Sequence, residues 1–425
     1  MIGVVGGGLS GLLVGLELER RGIPFTIFEA SPSLGGVVRS RRVEGRVLDY
    51  GPQRTRMIGP VRALIDELDL GERVRLAPPG LGLHVYRRGR LRAVPMGLGA
   101  LLRSDVVGPA AKLRVLLEPL TRGARPDERV SDYFIRKFGR DLYRTLLGPF
   151  FGGLYAADPA RMEVDRVLAP LLDRVGRSLV LGLVRRGGAV SPPPACSFDE
   201  GMAVLPRALG HRLAPSIRSS DGVHALHPEG AGWTLESDSG RHRFDQVVVT
   251  VPPAPAGRLL ETSVPGAGDR IGRLSCNPVA VVHLLASGTP RGMGFQVAFG
   301  EGLALRGVTF NDAMFARTGL HTAYLGGAAR PEVVEATDAD IADRAVREFA
   351  IATGIEPAGV LDVTRVAIPG WDLAWRALDG LALPDGLHLC ANWESRPGIP
   401  GRIARAVEVA DAVVARLGSA SRVAR

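Results

Sequence analysis

The chain is predicted to be an α/β protein built on a discontinuous, Rossmann-like dinucleotide-binding domain, with a mixed-sheet domain and a helical insert. Three observations carry this. A glycine-rich turn joins a buried strand to a helix at the N-terminus. Strand–helix material returns in the middle and at the C-terminal end. The intervening stretches differ in character, one helical and broken by prolines, the other rich in short strands. At 425 residues the chain has room for about two domains. The pattern assigns 1–75, 196–260 and 366–425 to the dinucleotide domain, 76–195 to the helical insert and 261–365 to the sheet domain.

Ile2 to Val5 is an unbroken apolar run, the mark of a strand buried on both faces. Gly6 to Gly11 turns the chain, Leu12 to Arg21 has helical spacing, and Gly22 stops that helix. Phe25 to Phe28 is a second strand, ending at Glu29, and Val61 to Leu70 is an amphipathic helix. Helical spacing then dominates Lys112 to Leu120 and Val130 to Leu147, broken by Pro95, Pro119, Pro149 and Pro170, and Pro192-Pro193-Pro194 reads as a linker. Beyond it come a helix over Met202 to Leu213 and strands over Gly222 to Leu226, Trp233 to Ser237 and Phe244 to Val251. Further strands are expected over 279–286, 295–299 and 303–310, and a helix over Ala339 to Thr353. The chain closes with a strand, Gly386 to Ala391, a Gly/Pro loop, and a helix from Gly401 to Leu417.

Composition narrows the function classes. Cys196, Cys276 and Cys390 stand too far apart in sequence for a disulfide framework or a CxxC metal site, and no His/Cys cluster suggests zinc, so no metal is expected. The net charge of +9 is almost wholly arginine, since only Lys112 and Lys137 are lysines. The base composition of the gene accounts for such a bias; attraction to an acidic ligand or an anionic membrane surface is the functional alternative. The arginines are scattered and no aromatic stacking motif accompanies them, so nucleic acid is not an expected partner. No apolar run of about 20 residues predicts a transmembrane helix, and Met1 to Val5 has no basic leader, which suggests the cytoplasm. The run Val94 to Leu120, carrying Arg103, Lys112 and Arg114, suits either the peripheral surface of a membrane or a buried helical core.

The chemistry-bearing pattern is Gly6-x-Gly8-x-x-Gly11 between strand and helix. The first glycine permits the tight turn, the second lets backbone approach a diphosphate, and the third packs helix on strand, with the helix N-terminus facing the phosphates. Glu29 ends the second strand, where a carboxylate accepts hydrogen bonds from adenosine ribose. Leu34-Gly35-Gly36-x-x-Arg39-Ser40 then supplies a second glycine pair and an arginine for the diphosphate, and Asp49-Tyr50-Gly51-Pro52 another turn. Doubled close approaches favour the long, extended FAD over NAD.

These residues resemble the protoporphyrinogen/coproporphyrinogen oxidases of the flavin amine oxidase superfamily. The likeness extends through Lys112-Leu113-Arg114 to Glu118-Pro119, the segment from Gly148 to Pro159 (GPFFGGLYAADP), Phe198-x-x-Gly201-Met202-x-x-Leu205-Pro206, and Pro397 to Gly401. The resemblance implies a fold of the amine-oxidase type, with an FAD domain, a substrate domain and a helical region able to touch membrane. It implies non-covalent FAD held by Gly6, Gly8, Gly11, Glu29, Gly36, Arg39, Gly51, Pro52, Val223 (through its backbone, to the adenine), Gly398, Ile399 and Pro400. A porphyrinogen substrate and O2 as acceptor follow from it, with Arg54 and Arg56 as candidates for the propionates and no catalytic side chain beyond the flavin. The oligomeric expectation is monomer or homodimer.

The chain departs from the pattern at Gln53-Arg54-Thr55-Arg56, at Ala157, and over residues 391–396 (ANWESR). Other readings are an amine oxidase, for which the resemblance expects a lysine near the flavin, a polyene desaturase, and a non-catalytic flavin- or porphyrin-binding protein. His84, in a strand-like run, is expected to be structural.

Overall fold

In the computed structural model the N-terminal apolar run, β1 (Ile2–Val5), is the centre of a five-stranded parallel sheet. It pairs with β2 (Phe25–Glu29) on one side and with Gln246–Val249 on the other; Ile217–Ser219 and Leu387–Leu389 complete the edges. Parallel strands covered on both faces need side chains that are apolar on both, which is why IGVV and QVVV show no alternation. The helix α1 (Leu9–Arg20) leaves β1 directly, and its Leu12, Leu13 and Leu16 share a core with Leu209 of the helix Val204–Arg212 and Val409 of the helix Ile399–Val423. The predicted strand Phe244 to Val251 divides at Asp245, whose N–H donates to the Met1 carbonyl: Phe244 ends the antiparallel sheet of Val223–Glu229, Gly232–Ser237 and Gly240–Phe244, and Gln246 starts the parallel strand.

The described residues are 1–185, 187 and 192–423, with side chains to 418. They form two compact units, one of Met1–Arg75, Ala195–Leu274 and Arg376–Arg425, the other of Leu76–Pro194 and Ser275–Trp375. The stretches expected as helical insert and sheet domain therefore lie largely within one unit.

That second unit holds a seven-stranded mixed sheet, in the order Gly359–Pro369, Cys276–Leu285, Leu320–Gly326, Leu305–Phe310, Gly294–Val297, Leu83–Arg87, Arg90–Ala93. One face is covered by the helix Asp338–Thr353, whose Ile341, Ala345 and Phe349 pack with Val282, Leu284, Ala323 and Leu325. This helix begins where Thr337 Oγ1 accepts the N–H of Asp340 and ends at Gly354, which has a left-handed φ of 73°. Leu320–Gly326 is not legible in the sequence because His321 and Thr322 interrupt its apolar alternation, although both are fully buried. The helix expected over Val130 to Leu147 is interrupted at Gly139 (φ 84°, ψ 161°), and Tyr143–Leu147 makes a π turn that runs into the helix Gly148–Tyr155.

The helical region is tied by one buried ion pair. Lys137 Nζ lies 2.6 Å from Glu118 Oε1, both side chains wholly out of solvent, and donates to the Arg177 carbonyl at 2.5 Å. Glu118 also accepts the Ser178 hydroxyl and the N–H groups of Leu179 and Val180, so it holds the start of the helix Leu179–Val184. Breaking such a pair leaves a charge buried without its partner. Lys137→Met is therefore expected to lower stability by about 3–5 kcal/mol in chemical denaturation.

Candidate functional site

The loop from Gly6 to Gly11 is set by close backbone contact. Gly6 has a φ of 109°, and a Cβ there would stand 2.7 Å from Thr250 Oγ1. A Cβ on Gly11 would stand 1.9 Å from the Gly6 carbonyl oxygen, so α1 can start this close to β1 only with glycine at that position. Gly8 is the N-cap of α1; no side chain caps the helix, its first turn carries no acid, and the nearest atom to a Cβ on Gly8 would be Gly36 Cα at 3.9 Å. The first-turn N–H groups thus face a space that suits an anion. Glu29 stands beside it at the end of β2, where its Oε2 accepts the Gly7 N–H at 2.7 Å and its Oε1 the Ser31 N–H at 2.8 Å. Each carboxylate oxygen keeps further acceptor capacity for ribose hydroxyls.

The second glycine pair does more than admit a ligand: it docks on the first loop. The Gly35 N–H donates to the Gly7 carbonyl at 2.9 Å, Gly8 and Gly35 form a parallel bridge, and a Cβ on Gly36 would meet Gly8 Cα at 3.2 Å. Gly51 is similarly required, its Cβ position lying 2.0 Å from the Val37 carbonyl oxygen, and Pro52 follows half-buried. Arg39 between them is exposed and pairs with no carboxylate among the described residues. Asp49, fully buried, accepts the Ser40 hydroxyl at 2.5 Å and the Met202 N–H at 2.8 Å, while Ser40 Oγ accepts the Ala203 N–H at 3.0 Å. The hairpin Ser40–Val43/Arg46–Asp49 is thereby fixed to the helix beginning at Val204.

The C-terminal segment returns to the same edge of the parallel sheet. Thr250 Oγ1 donates to the carbonyls of Val5 and Gly6, which holds the loop to the neighbouring strand. Residues 391–396 form a closed turn: the buried Trp393 donates its indole N–H to the Val251 carbonyl at 2.9 Å, the Ala391 N–H goes to Glu394 Oε1 at 3.1 Å, and the Ser395 hydroxyl to the Ala391 carbonyl at 2.9 Å. Gly398 then adopts a φ of 86°, and Ile399 (buried) and Pro400 open the long terminal helix. Burial pushes the Glu394 carboxyl up although Arg405 Nε lies 3.0 Å away, and lowers Arg402 to about 10. Val223 starts its strand next to the end of β2, where the Asp221 N–H donates to the Glu29 carbonyl at 2.9 Å. The Gly6–Gly11 loop, Glu29, the Gly35-Gly36 pair and Val223 thus lie at the carboxyl ends of the parallel strands β1 and β2, where open α/β sheets take ligands.

Of the two candidate propionate residues, Arg56 pairs in a short antiparallel ladder with Ala195, and burial lowers its pKa; Arg54 is half-buried beside it. His84 lies in the strand Leu83–Arg87, with the ring against Gly292. Sequence reasoning passed over Thr250, although it was detectable as the polar residue closing the run VVVTV; Ser40 and Trp393 stand in segments the sequence singles out, but their structural roles come from partners far along the chain.

The profile described as flavin containing amine oxidoreductase matches residues 9–408. The chain is 27% identical over 442 residues to the chloroplastic protoporphyrinogen oxidase 1 of Spinacia oleracea, covering 91% of this chain and 78% of that protein. It is 30% identical over 333 residues to the coproporphyrinogen III oxidase of Mycobacterium leprae, covering 72% of each. Among solved structures, a candidate protoporphyrinogen oxidase from Exiguobacterium sp. 255-15 superposes with a TM-score of 0.79 at 21% identity, over 98% of both chains, which supports the fold.

Gly11→Ala forces a methyl group into the Gly6 carbonyl and must open the loop. The purified variant is expected to lack the visible absorbance of a bound flavin and to melt lower than the parent, whereas Gly71→Ala, with nothing within 4 Å of its Cβ position and no left-handed φ, should keep its colour.

Proposed function

The chain belongs to the flavin-containing amine oxidoreductase family, and from that premise we propose that it is an FAD-dependent oxidase converting a porphyrinogen, protoporphyrinogen IX or coproporphyrinogen III, to the porphyrin in haem biosynthesis. The observation that carries the reading is the doubled glycine cradle, Gly8 against Gly36 in front of the uncapped N-terminus of α1, together with relatives named for both porphyrinogen reactions.

In this reading α1 faces the FAD diphosphate, Arg39 neutralises it, Glu29 accepts from the ribose, the Val223 backbone meets the adenine, and Gly398, Ile399 and Pro400 bring the positive end of the terminal helix toward the flavin. The cofactor is held non-covalently. Burial pushes the Cys196 thiol up to about 11 and that of Cys390 up to about 12, and raises Cys276, so none offers a thiolate at neutral pH. When bound, FAD would supply a two-electron acceptor for hydride from a meso methylene, the pyrrole nitrogen losing the proton, and O2 would reoxidise it. The protein's share is to orient the macrocycle and exclude side reactions, with Arg54 and Arg56 taking propionates. Amine oxidation has less support, because Lys137 is sealed in its pair with Glu118.

The reading includes peripheral attachment to a membrane. No helix among the described residues is long and apolar enough to cross one, but Leu113, Leu116, Leu117 and Leu120 are all about half exposed or more, at helical spacing on one short segment, with Lys112 and Arg114 alongside. Leu117→Glu combined with Leu120→Glu is expected to abolish co-sedimentation with anionic liposomes at low salt; a parent protein that stays in the supernatant removes the attachment.

The main test is an aerobic assay of FAD-loaded protein with each porphyrinogen. Porphyrin fluorescence rising well above the autoxidation blank is expected with at least one. A trace no faster than the blank for both, with amines or polyenes consumed instead, overturns the reading.

A further inference from the structure

The second unit contains a cation that its own structure does not satisfy. Arg306 lies on the central strand Leu305–Phe310, half-buried, and its Nε is shut off from solvent without a hydrogen bond. Its guanidinium pairs with no carboxylate among the described residues. Asp158 is near enough to act on it through space, but its Oδ1 accepts the Ala160 N–H. Burial accordingly lowers the arginine's pKa, although it remains a cation at neutral pH. Its neighbours along the strand, Leu305 and Val308, are core residues, so an aliphatic side chain would be the stable choice at this position.

A second unused donor stands beside it. Gln296, on the strand Gly294–Val297, is in register with Gly307, the residue after Arg306, and its amide also has no hydrogen-bond partner among the described residues. The helix Gly148–Tyr155 passes over both and carries glycine where they stand. A Cβ on Gly152 would lie 2.9 Å from Arg306 Nη2, and one on Gly153 would lie 3.0 Å from Gln296 Nε2. Any larger residue would crowd the two donors. The sequence has thus kept a buried charge, an unpaired amide and two adjacent glycines at one place, a combination that weakens the helix and the core together.

We propose that Arg306 and Gln296 form the subsite for a carboxylate arm of the substrate. The planar guanidinium offers a fork of donors that a carboxylate matches with two parallel hydrogen bonds, and the amide offers one more. The proposal rests on the porphyrinogen reading, in which propionates are the carboxylates presented.

The test uses holoenzyme and follows quenching of porphyrin fluorescence in one detergent buffer with two probes, coproporphyrin III and its tetramethyl ester. Arg306→Gln is expected to weaken binding of the acid roughly ten- to a hundredfold and to leave the ester unchanged, with Arg306→Lys restoring part of the loss. Arg306→Met is expected to melt higher than the parent without ligand, since it removes an unpaired buried charge. Equal affinity of parent and Arg306→Gln for the acid, in a preparation that oxidises porphyrinogen, overturns the subsite and leaves the porphyrinogen reading intact. Equal losses for acid and ester also overturn it. A parent that binds neither probe removes the porphyrinogen reading, and the subsite with it.

Discussion

The first unit depends on one close approach, that of Gly11 to the carbonyl oxygen of Gly6, where a single added carbon would stand 1.9 Å away. Because α1 leaves β1 at that distance, its first N–H groups open at the end of the strand rather than over its face, and Gly6 must take a backbone conformation that other residues avoid. The Thr250 hydroxyl secures the loop from the neighbouring strand by donating to both the Val5 and Gly6 carbonyls. The second loop then stacks on the first through Gly8, Gly35 and Gly36. At Gly11 and Gly35 glycine is needed because a side chain would run into a main-chain carbonyl.

A second constraint holds the pieces that are distant in sequence. Asp49 is fully buried, yet it receives the Ser40 hydroxyl and the Met202 N–H, so a hairpin near residue 45 and a helix beginning at 204 are locked by one carboxylate. The turn over 391–396 plays the matching part at the other end of the chain. Its sequence departs from the pattern of the family it resembles, and the structure gives the reason for these residue types: Trp393, Glu394 and Ser395 each close the turn by a hydrogen bond to main chain. At Asp49 and in the turn over 391–396 the polar groups find partners, whereas Arg306 Nε on the sheet of the second unit is shut off from solvent without a hydrogen bond.

Much of the first unit could be read in advance because its signals are local. The strand, the glycine turn, the helix and Glu29 follow one another within thirty residues, and parallel strands buried on both faces announce themselves as runs of valine and isoleucine. The second unit was less legible. Leu320–Gly326 hides behind His321 and Thr322, and Gly359–Pro369, partly exposed at the sheet's edge, lacks a clear alternation. The division at Asp245 could not be foreseen, since it depends on a hydrogen bond to Met1, more than two hundred residues away.

The sequence by itself determined the strand, the glycine turn and the helix of a dinucleotide-binding pattern at the N-terminus, because that glycine spacing is a requirement of backbone geometry that holds in any context. Only the tertiary structure decided how the second glycine pair serves the first, why residues 391–396 take their own form, and that Arg306, beside Gly152, pairs with no carboxylate among the described residues. Those are statements about which atoms remain without partners once distant segments meet, and composition or periodicity carries no record of that.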